Sequence, residues 1–304
     1  MNMIVNPVYK REMRVSSRSF RLALVLLVFN GILALVALLN MYSMLAQIRV
    51  TAEIQYGSFL DLYLFVAVLE FVMLVFIMPA ITAGSISGER ERQTLDLMLS
   101  TKMDPLQIVL GKLGASMSTM ILMIVSSFPI LALVFVYGGV TVKDIVLLLV
   151  CYVVAALFAG SLGICCSALF KKSTLSTVAA YGVMGIIVVG TYGVNQLALF
   201  FNRMPGGVYL ASSNAGAGEG SSGGFLYLLL MNPTMTFVMT MLRLAGGGTA
   251  GGEITQWFGK HGESFVSRNW VGCSAAIQVA IAAVLIRIAV RALKPKTGSG
   301  KRFF

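Results

Sequence analysis

From Leu62 to Ala83 the sequence reads LYLFVAVLEFVMLVFIMPAITA, and Glu70 is the only charged residue in those 22 positions. A helix needs roughly 20 mostly apolar residues to cross the hydrocarbon core of a bilayer. Backbone polar groups inside a bilayer must also be satisfied within the segment, which a helix achieves. This run is therefore predicted to be a membrane-spanning helix.

Five further apolar runs have the same character. They extend over about Phe20–Met41, Leu113–Tyr137, Ile145–Phe170, Thr177–Phe201 and Trp270–Val290. The composition agrees with them, since 58% of the 304 residues are hydrophobic and only 12% are charged, whereas soluble domains are nearer ~25% charged. The sequence predicts an all-α integral membrane protein with six transmembrane helices, folded as a single transmembrane domain over residues 1–304.

The basic residues predict the orientation, because cytoplasmic flanks of membrane helices collect Lys and Arg. With the N-terminus inside, the inner segments hold 17 of the 23 basic residues and both termini are cytoplasmic. The inner residues are Lys10, Arg11, Arg14, Arg18, Arg21, Arg90, Arg92, Lys102, Lys112, Lys171, Lys172, Arg287, Arg291, Lys294, Lys296, Lys301 and Arg302. The net charge of +11 is thus a signal of topology, and no nucleic-acid partner is predicted.

One apolar segment, Phe225–Leu244, does not fit this count. As a seventh span it would move the basic C-terminal tail outside, against the charge distribution. Asn232-Pro233 lies near its middle, where proline removes a backbone donor and breaks a helix. We therefore predict that the outer loop, residues 202–269, contains a re-entrant hairpin of two short helices.

Reactive side chains are scarce. The chain has four cysteines and one histidine, His261. No two cysteines have the spacing of a metal or redox motif, and a lone histidine cannot build a metal centre. No catalytic residue and no metal site is predicted, which weighs against a membrane enzyme.

The stretch that follows the second span carries an unusual charge pattern. Residues 84–112 read GSISGERERQTLDLMLSTKMDPLQIVLGK. Leu95, Met98 and Leu99 recur at helical spacing. The pattern predicts a short amphipathic helix at the inner surface. Such a helix either docks into a groove on a partner or lies as a solvated loop on the lipid.

The sequence from Gly88 to Leu99, with the following Pro105 and Gly111-Lys112, resembles the coupling loop of type-2 permeases of ATP-binding-cassette transporters. On this resemblance we call residues 84–112 the coupling loop. The resemblance extends over the chain: a basic amphipathic N-terminal helix in residues 1–19, six spans and the broken hairpin before the sixth. It implies an exporter-type membrane subunit in a bacterial plasma membrane. It also implies pairing with a second copy or a homologous permease, above cytoplasmic ATPase subunits that bind ATP and Mg²⁺.

The resemblance places the family's coupling helix on about Ser87–Thr101, which would take up movement from the ATPase and pass it to the second and third spans. The matching positions are Gly88, Glu89, Glu91, Thr94, Leu95, Asp96 and Leu97. The chain itself lacks an ATP-hydrolysing site. Gly298-Ser299-Gly300-Lys301 echoes the end of a phosphate-binding loop but has neither its first glycine nor its final Ser or Thr.

Three polar residues within the spans are candidates for the substrate path. Glu70 is costly at this depth, so it either lines the path, takes part in proton coupling or bonds to a polar group on a neighbouring helix. Asn195 and Gln196 lie in the fifth span, which also contains Gly182, Gly185, Gly190 and Gly193. Small residues at these positions let another helix approach closely.

Two alternative functions remain open beside an export permease. The chain could be an ATP-independent channel or carrier, for which Glu70 is thin support. It could also be a non-transporting membrane anchor for an ATPase. The transported substrate is not readable from the sequence.

Overall fold

The computed structural model describes residues 6–17, 19–51, 57–95, 104–137, 141–203, 222–246 and 265–294. Within these ranges every regular element is a helix. The elements are α1 (Pro7–Ser17), α2 (Phe20–Thr51), α3 (Gly57–Ala83), α4 (Ser87–Glu91), α5 (Pro105–Tyr137), α6 (Val142–Leu169), α7 (Ser173–Gly185), a π-helical segment (Ile186–Gly190), α8 (Thr191–Arg203), a 3₁₀ helix (Gly223–Met231), α9 (Pro233–Gly246), α10 (Phe265–Arg268) and α11 (Trp270–Leu293).

Six of these helices are long and apolar enough to cross a membrane. We number them spans 1 to 6: α2, α3, α5, α6, the continuous run from α7 to α8, and α11. The prediction of an all-α membrane protein with six transmembrane helices is confirmed. Span 3 begins at Pro105, where Asp104-Pro105 predicts a helix start because proline favours a first-turn position; this is eight residues before the predicted apolar run from Leu113. Asp104 Oδ1 accepts the N–H of Leu106 at 3.3 Å.

Span 4 lies at the centre of the bundle. It packs against α3, α5, α7, α9 and α11, and its residues from Ala155 to Ala168 are buried except for the half-buried Leu157. Many of those side chains are small, which lets neighbouring backbones come close. The helix starts where the N–H of Thr141 donates to Asp144 Oδ2 at 3.0 Å, one half of a capping box.

The closest approach is between span 4 and span 2. A Cβ built on Gly160 would lie 2.6 Å from Met78 Cε, and one built on Gly163 would collide with Thr82 Oγ1. The same Cβ on Gly163 would lie 3.2 Å from the backbone nitrogen of Ala83. Glycine is therefore required at this crossing by space and not by backbone conformation.

The N-terminal helix α1 is docked on the first turns of span 3. A Cβ on Gly111 would lie 2.9 Å from Val8 Cβ, so the missing side chain makes room for α1. The hydroxyls of Tyr9 and Ser118 are hydrogen-bonded at 2.9 Å. The amphipathic helix predicted in residues 1–19 is present from Pro7 to Ser17, and its buried apolar residue Val8 packs against span 3. Arg18 lies outside the described residues.

Residues 223–246 do not form a straight seventh span. The 3₁₀ helix Gly223–Met231 and α9 meet at Asn232-Pro233 with a bend of 97°; we call this pair the hairpin. At 2.0 Å per 3₁₀ residue and 1.5 Å per α residue, its arms are only about 18 Å and 21 Å long. Each arm is thus shorter than the ~30 Å hydrocarbon core. The predicted break is confirmed at Asn232-Pro233, and the re-entrant course remains a prediction that these lengths favour.

Spans 1 and 5 are the most exposed of the six. Span 5 presents large apolar side chains such as Val178, Ile186 and Val189 on its outer surface. Its glycines at 182, 185 and 193 have open space where a Cβ would stand. These faces are covered by lipid or by another protein chain when the molecule is in a membrane.

Candidate coupling site

The coupling loop begins as a short helix and then breaks. Helix α4 covers only Ser87–Glu91, and Gln93 has a φ of 56°, in the left-handed region where a non-glycine residue is uncommon. The prediction of one continuous helix over Ser87–Thr101 is therefore wrong: the chain is helical from Ser87 to Glu91 and turns at Gln93. Asp96 and Leu97 lie outside the described residues.

The start of α4 is bonded to the inner end of span 4. Ser167 Oγ accepts the N–H groups of Ile86 and Ser87, each at 2.9 Å. Ser87 Oγ in turn donates to the carbonyl of Ala83, the last residue of span 2, at 3.0 Å. All four residues are buried, so these bonds have little competition from water.

Two charged side chains of α4, Arg90 and Glu91, reach the turn between spans 4 and 5. The Arg90 guanidinium donates to the carbonyls of Ala168 and Phe170, both at 3.1 Å. Glu91 Oε1 accepts the N–H of Ser173 at 2.9 Å. A cation thus sits at the C-terminus of one helix and an anion at the N-terminus of the next, the arrangement that helix dipoles favour.

Glu89, also in α4, joins this helix to span 3 and, through Lys112, to α1. Lys112 Nζ lies 2.9 Å from Glu89 Oε1 and 3.2 Å from Glu12 Oε1. Lys112 is only 4% exposed and Glu89 16%. These three residues border a polar cavity of about 440 Å³ that is also lined by Arg92 and Ser173. The ion pairs connect three segments that are far apart in the sequence.

The predicted coupling residues differ in what they offer to a partner. Leu95 is 4% exposed and packs into the main hydrophobic core, so it anchors the loop from within. Glu89 is largely covered, and Gly88 is half-buried with open space around its Cα. Glu91 and Thr94 are exposed. The surface that a partner can touch therefore runs from Glu91 to Thr94.

Glu70 is buried inside the chain. It is 1% exposed, and Ser127 Oγ of span 3 donates to its Oε1 at 2.7 Å. One turn earlier, the Tyr152 hydroxyl of span 4 donates to the carbonyl of Ala67 at 2.8 Å. Of the alternatives predicted for Glu70, a bond to a polar group on a neighbouring helix is the one that this geometry supports.

Asn195 and Gln196 occupy different environments. Asn195 is fully buried, and its amide donates to the carbonyls of Thr191 and Phe225 at 2.9 Å and 2.8 Å, the second of which belongs to the hairpin. Gln196 is half-buried. Asn195 therefore holds the hairpin against span 5, and the side chain with access to a surface is Gln196.

The hairpin is attached to span 5 at the π-helical segment. Asn232 Nδ2 donates to the carbonyl of Val188 and to Thr191 Oγ1, both at 3.0 Å. A π-helical turn shifts the backbone bonds and leaves such a carbonyl open to an outside donor. Asn232 Oδ1 accepts the N–H of Thr234 at 2.9 Å, which caps α9. One side chain thus fixes the bend and its position on span 5.

The other side of the hairpin is attached to span 6. Gln278 Nε2 donates to Thr236 Oγ1 at 2.7 Å, and Ser274 Oγ donates to the carbonyl of Leu230 at 2.7 Å. All of these residues are buried. A backbone break is tolerated at membrane depth when neighbouring polar groups satisfy it in this way.

Replacing Asn232 with alanine should therefore loosen the hairpin. The change removes two bonds to span 5 and the cap of α9, and we expect the free energy of unfolding in mixed micelles to fall by about 2–3 kcal/mol. Gln196→Ala is the matched control, a half-buried amide in α8 that should cost less than about 0.5 kcal/mol. Equal losses in the two variants would contradict the assigned role of Asn232.

The sequence indicated some of these residues and missed others. The charge pattern pointed to Glu89 and Glu91, and the Asn-Pro pair pointed to the hairpin. It gave no part in the site to Arg90, Ser167 or Glu12, whose partners lie between 78 and 100 positions away in the sequence. One signal in the sequence could have revealed the ion pairs: Lys112 is a charged residue at the start of an otherwise apolar span.

Comparison with known proteins gives a single family. A family model described as "ABC-2 family transporter protein" matches residues 46–291, which include five of the six spans, the coupling loop and the hairpin. A search of curated proteins finds no significant match.

Proposed function

Since the chain belongs to the ABC-2 family of transporter proteins, we propose that it is the membrane-spanning permease subunit of an ATP-driven export pump. Membership of the family makes it a membrane component of an ABC transporter and not the ATPase. The finer part of the proposal is that a separate cytoplasmic ATPase binds ATP and Mg²⁺ and acts on this chain through the coupling loop.

The observation that carries the proposal is the construction of the coupling loop. Helix α4 is bonded to the ends of spans 2, 4 and 5, while the residues that follow it, Arg92 to Thr94, are exposed. A segment that is both accessible and rigidly joined to several spans can transfer displacement from a docked partner into the membrane domain. A loop that served only to connect two spans would not need these bonds.

A second permease subunit, identical or homologous, belongs to the same proposal. Spans 1 and 5 expose apolar side chains along their length, and Gly182, Gly185 and Gly193 leave span 5 open to close approach. The substrate path would run between the two subunits, and Gln196 is the predicted path residue whose side chain is accessible from that face. Both termini would be cytoplasmic in a bacterial plasma membrane.

Copurification tests this proposal. We expect the full-length chain, purified from its native membrane, to bring an ATP-binding-cassette ATPase with it. Arg92→Glu, which reverses an exposed charge on the coupling loop, should lower the bound ATPase about tenfold. Lys143→Glu is the matched control, an exposed lysine in the first turn of α6, at the other end of span 4, and should leave the amount unchanged.

The result that would sink the proposal is equally definite. If no ATPase accompanies the unaltered chain, or if Arg92→Glu and Lys143→Glu retain it equally, the exposed part of the loop is not the docking surface.

A further inference from the structure

The coupling loop is bonded to the start of span 5 as well as to the spans that it connects in the chain. Arg90 holds the last carbonyls of span 4, at Ala168 and Phe170, and Glu91 holds the first N–H of span 5, at Ser173. Helix ends leave these groups without partners inside the helix. The loop therefore completes both helix termini of a turn that is about 80 residues away in the sequence.

The chemistry of the two side chains suits this attachment. The planar guanidinium of Arg90 has donors in a fixed fork, so it can bind two carbonyls at once. The carboxylate of Glu91 accepts at a helix N-terminus, where negative charge is favoured. A lysine at position 90 would present a single point of attachment.

Span 5 is well placed to respond. It is the least buried of the six spans, and its outer part carries the hairpin through Asn195 and Asn232. Elements with few buried contacts move at low cost in free energy. By contrast, span 4 is enclosed by five other helices and serves as the fixed body against which span 5 can shift.

We propose that Arg90 and Glu91 are positioning residues that attach the coupling loop to the first turn of span 5, so that ATP-driven displacement of the loop moves span 5 and, through it, the hairpin. This inference rests on the proposed function and goes beyond it. The resemblance led us to expect transmission to spans 2 and 3, whereas these bonds add a direct route to span 5.

The first experiment measures movement in the full complex of the chain with its copurified ATPase in lipid nanodiscs. Spin labels at Val183→Cys and Val153→Cys, both exposed, report the distance between spans 5 and 4 in a background without the native cysteines. Labels at Val72→Cys and Val153→Cys report span 2 against span 4. ATP should change the first distance in the unaltered chain.

Arg90→Gln should reduce that ATP-dependent change at least fivefold, while the amount of bound ATPase stays within twofold. Arg90→Lys should restore part of the change, and the span 2 distance should respond as before in both variants. Lys172→Gln is the matched control, because it removes an exposed positive charge from the same turn. An Arg90→Gln complex in which span 5 responds fully would overturn the inference.

The second experiment uses the full-length chain without any ATPase, and so separates this inference from the proposed function. Hydrogen exchange of the amides in the first turn of span 5, beginning at Ser173, should accelerate at least tenfold in Arg90→Gln/Glu91→Gln. Exchange in the first turn of span 3, after Pro105, should change less than twofold. Equal acceleration in both turns, or none, contradicts the attachment, whereas failure to copurify an ATPase contradicts only the proposed function.

Discussion

Lys112→Met is expected to lower the free energy of unfolding by about 3–5 kcal/mol, the cost of breaking a buried ion pair from one side. The methionine would fill the space of the lysine stem but leave Glu89, which is 16% exposed, without its 2.9 Å partner. It would also release Glu12 and with it the link from α1 to the coupling loop. Reversible unfolding in mixed detergent micelles measures the loss.

Three companion variants identify the cause. Lys112→Met/Glu89→Gln removes both charges and should recover at least half of the loss, since an uncharged pair carries no desolvated carboxylate. Glu12→Gln alone should cost less than about 1 kcal/mol, because Glu12 is about one-third exposed. Lys112→Arg keeps the charge. If Lys112→Met is as stable as the unaltered chain, the ion pairs do not hold this site together.

Gly163→Ala should also be strongly destabilising, by about 2–3 kcal/mol. The new methyl group would collide with Thr82 Oγ1 and lie 3.0 Å from Thr82 Cβ and 3.2 Å from the backbone nitrogen of Ala83. Because that last atom is backbone, the two helices must separate to accept the methyl group. The same unfolding measurement applies, and Gly163→Val should cost more than Gly163→Ala.

The control for this prediction lies in span 5. Gly182→Ala places a methyl group where nothing lies within 4 Å, and alanine is a better helix former by about 1 kcal/mol. It should therefore be neutral or slightly stabilising. The double variant Gly163→Ala/Thr82→Ala should recover part of the lost stability, because it removes the Thr82 hydroxyl with which the new methyl group collides. Equal effects at positions 163 and 182 would show that helix propensity, and not the crossing, decides the outcome.

The spans could be predicted from the sequence because their cause is local. A run such as Leu62–Ala83 is long and apolar enough to cross the bilayer, and as a helix it satisfies its own backbone polar groups. No distant residue is therefore needed to make it a helix. The break at Asn232-Pro233 was predictable for the same reason. The coupling helix was predicted to be continuous, but it is interrupted at Gln93, where the left-handed backbone falls on neither glycine nor asparagine and so leaves no signal in the sequence.

The candidate site was predictable only in part. The charges of the loop marked Glu89 and Glu91, but spacing alone could not reveal that Glu89 turns inward to Lys112 while Glu91 reaches Ser173. Glu70 stood out as a costly charge, yet its partner Ser127 lies 57 residues away on another helix. Periodicity assigns a residue to a face of its own helix, and it does not say which neighbour that face meets.

The sequence by itself determined that this protein lies in a lipid bilayer, how many spans it has and which family it belongs to. These follow from the length of the apolar runs, the basic flanks and a short loop motif, which are all properties of contiguous residues. Only the tertiary structure decided that the coupling loop is joined to span 5 by Arg90 and Glu91, and that Asn232 sits on the π-helical segment. Those contacts depend on how closely helices cross. The distance between two crossing helices is set by glycines such as Gly163, whose missing side chain makes room for a residue roughly eighty positions away. No local sequence pattern records such a contact.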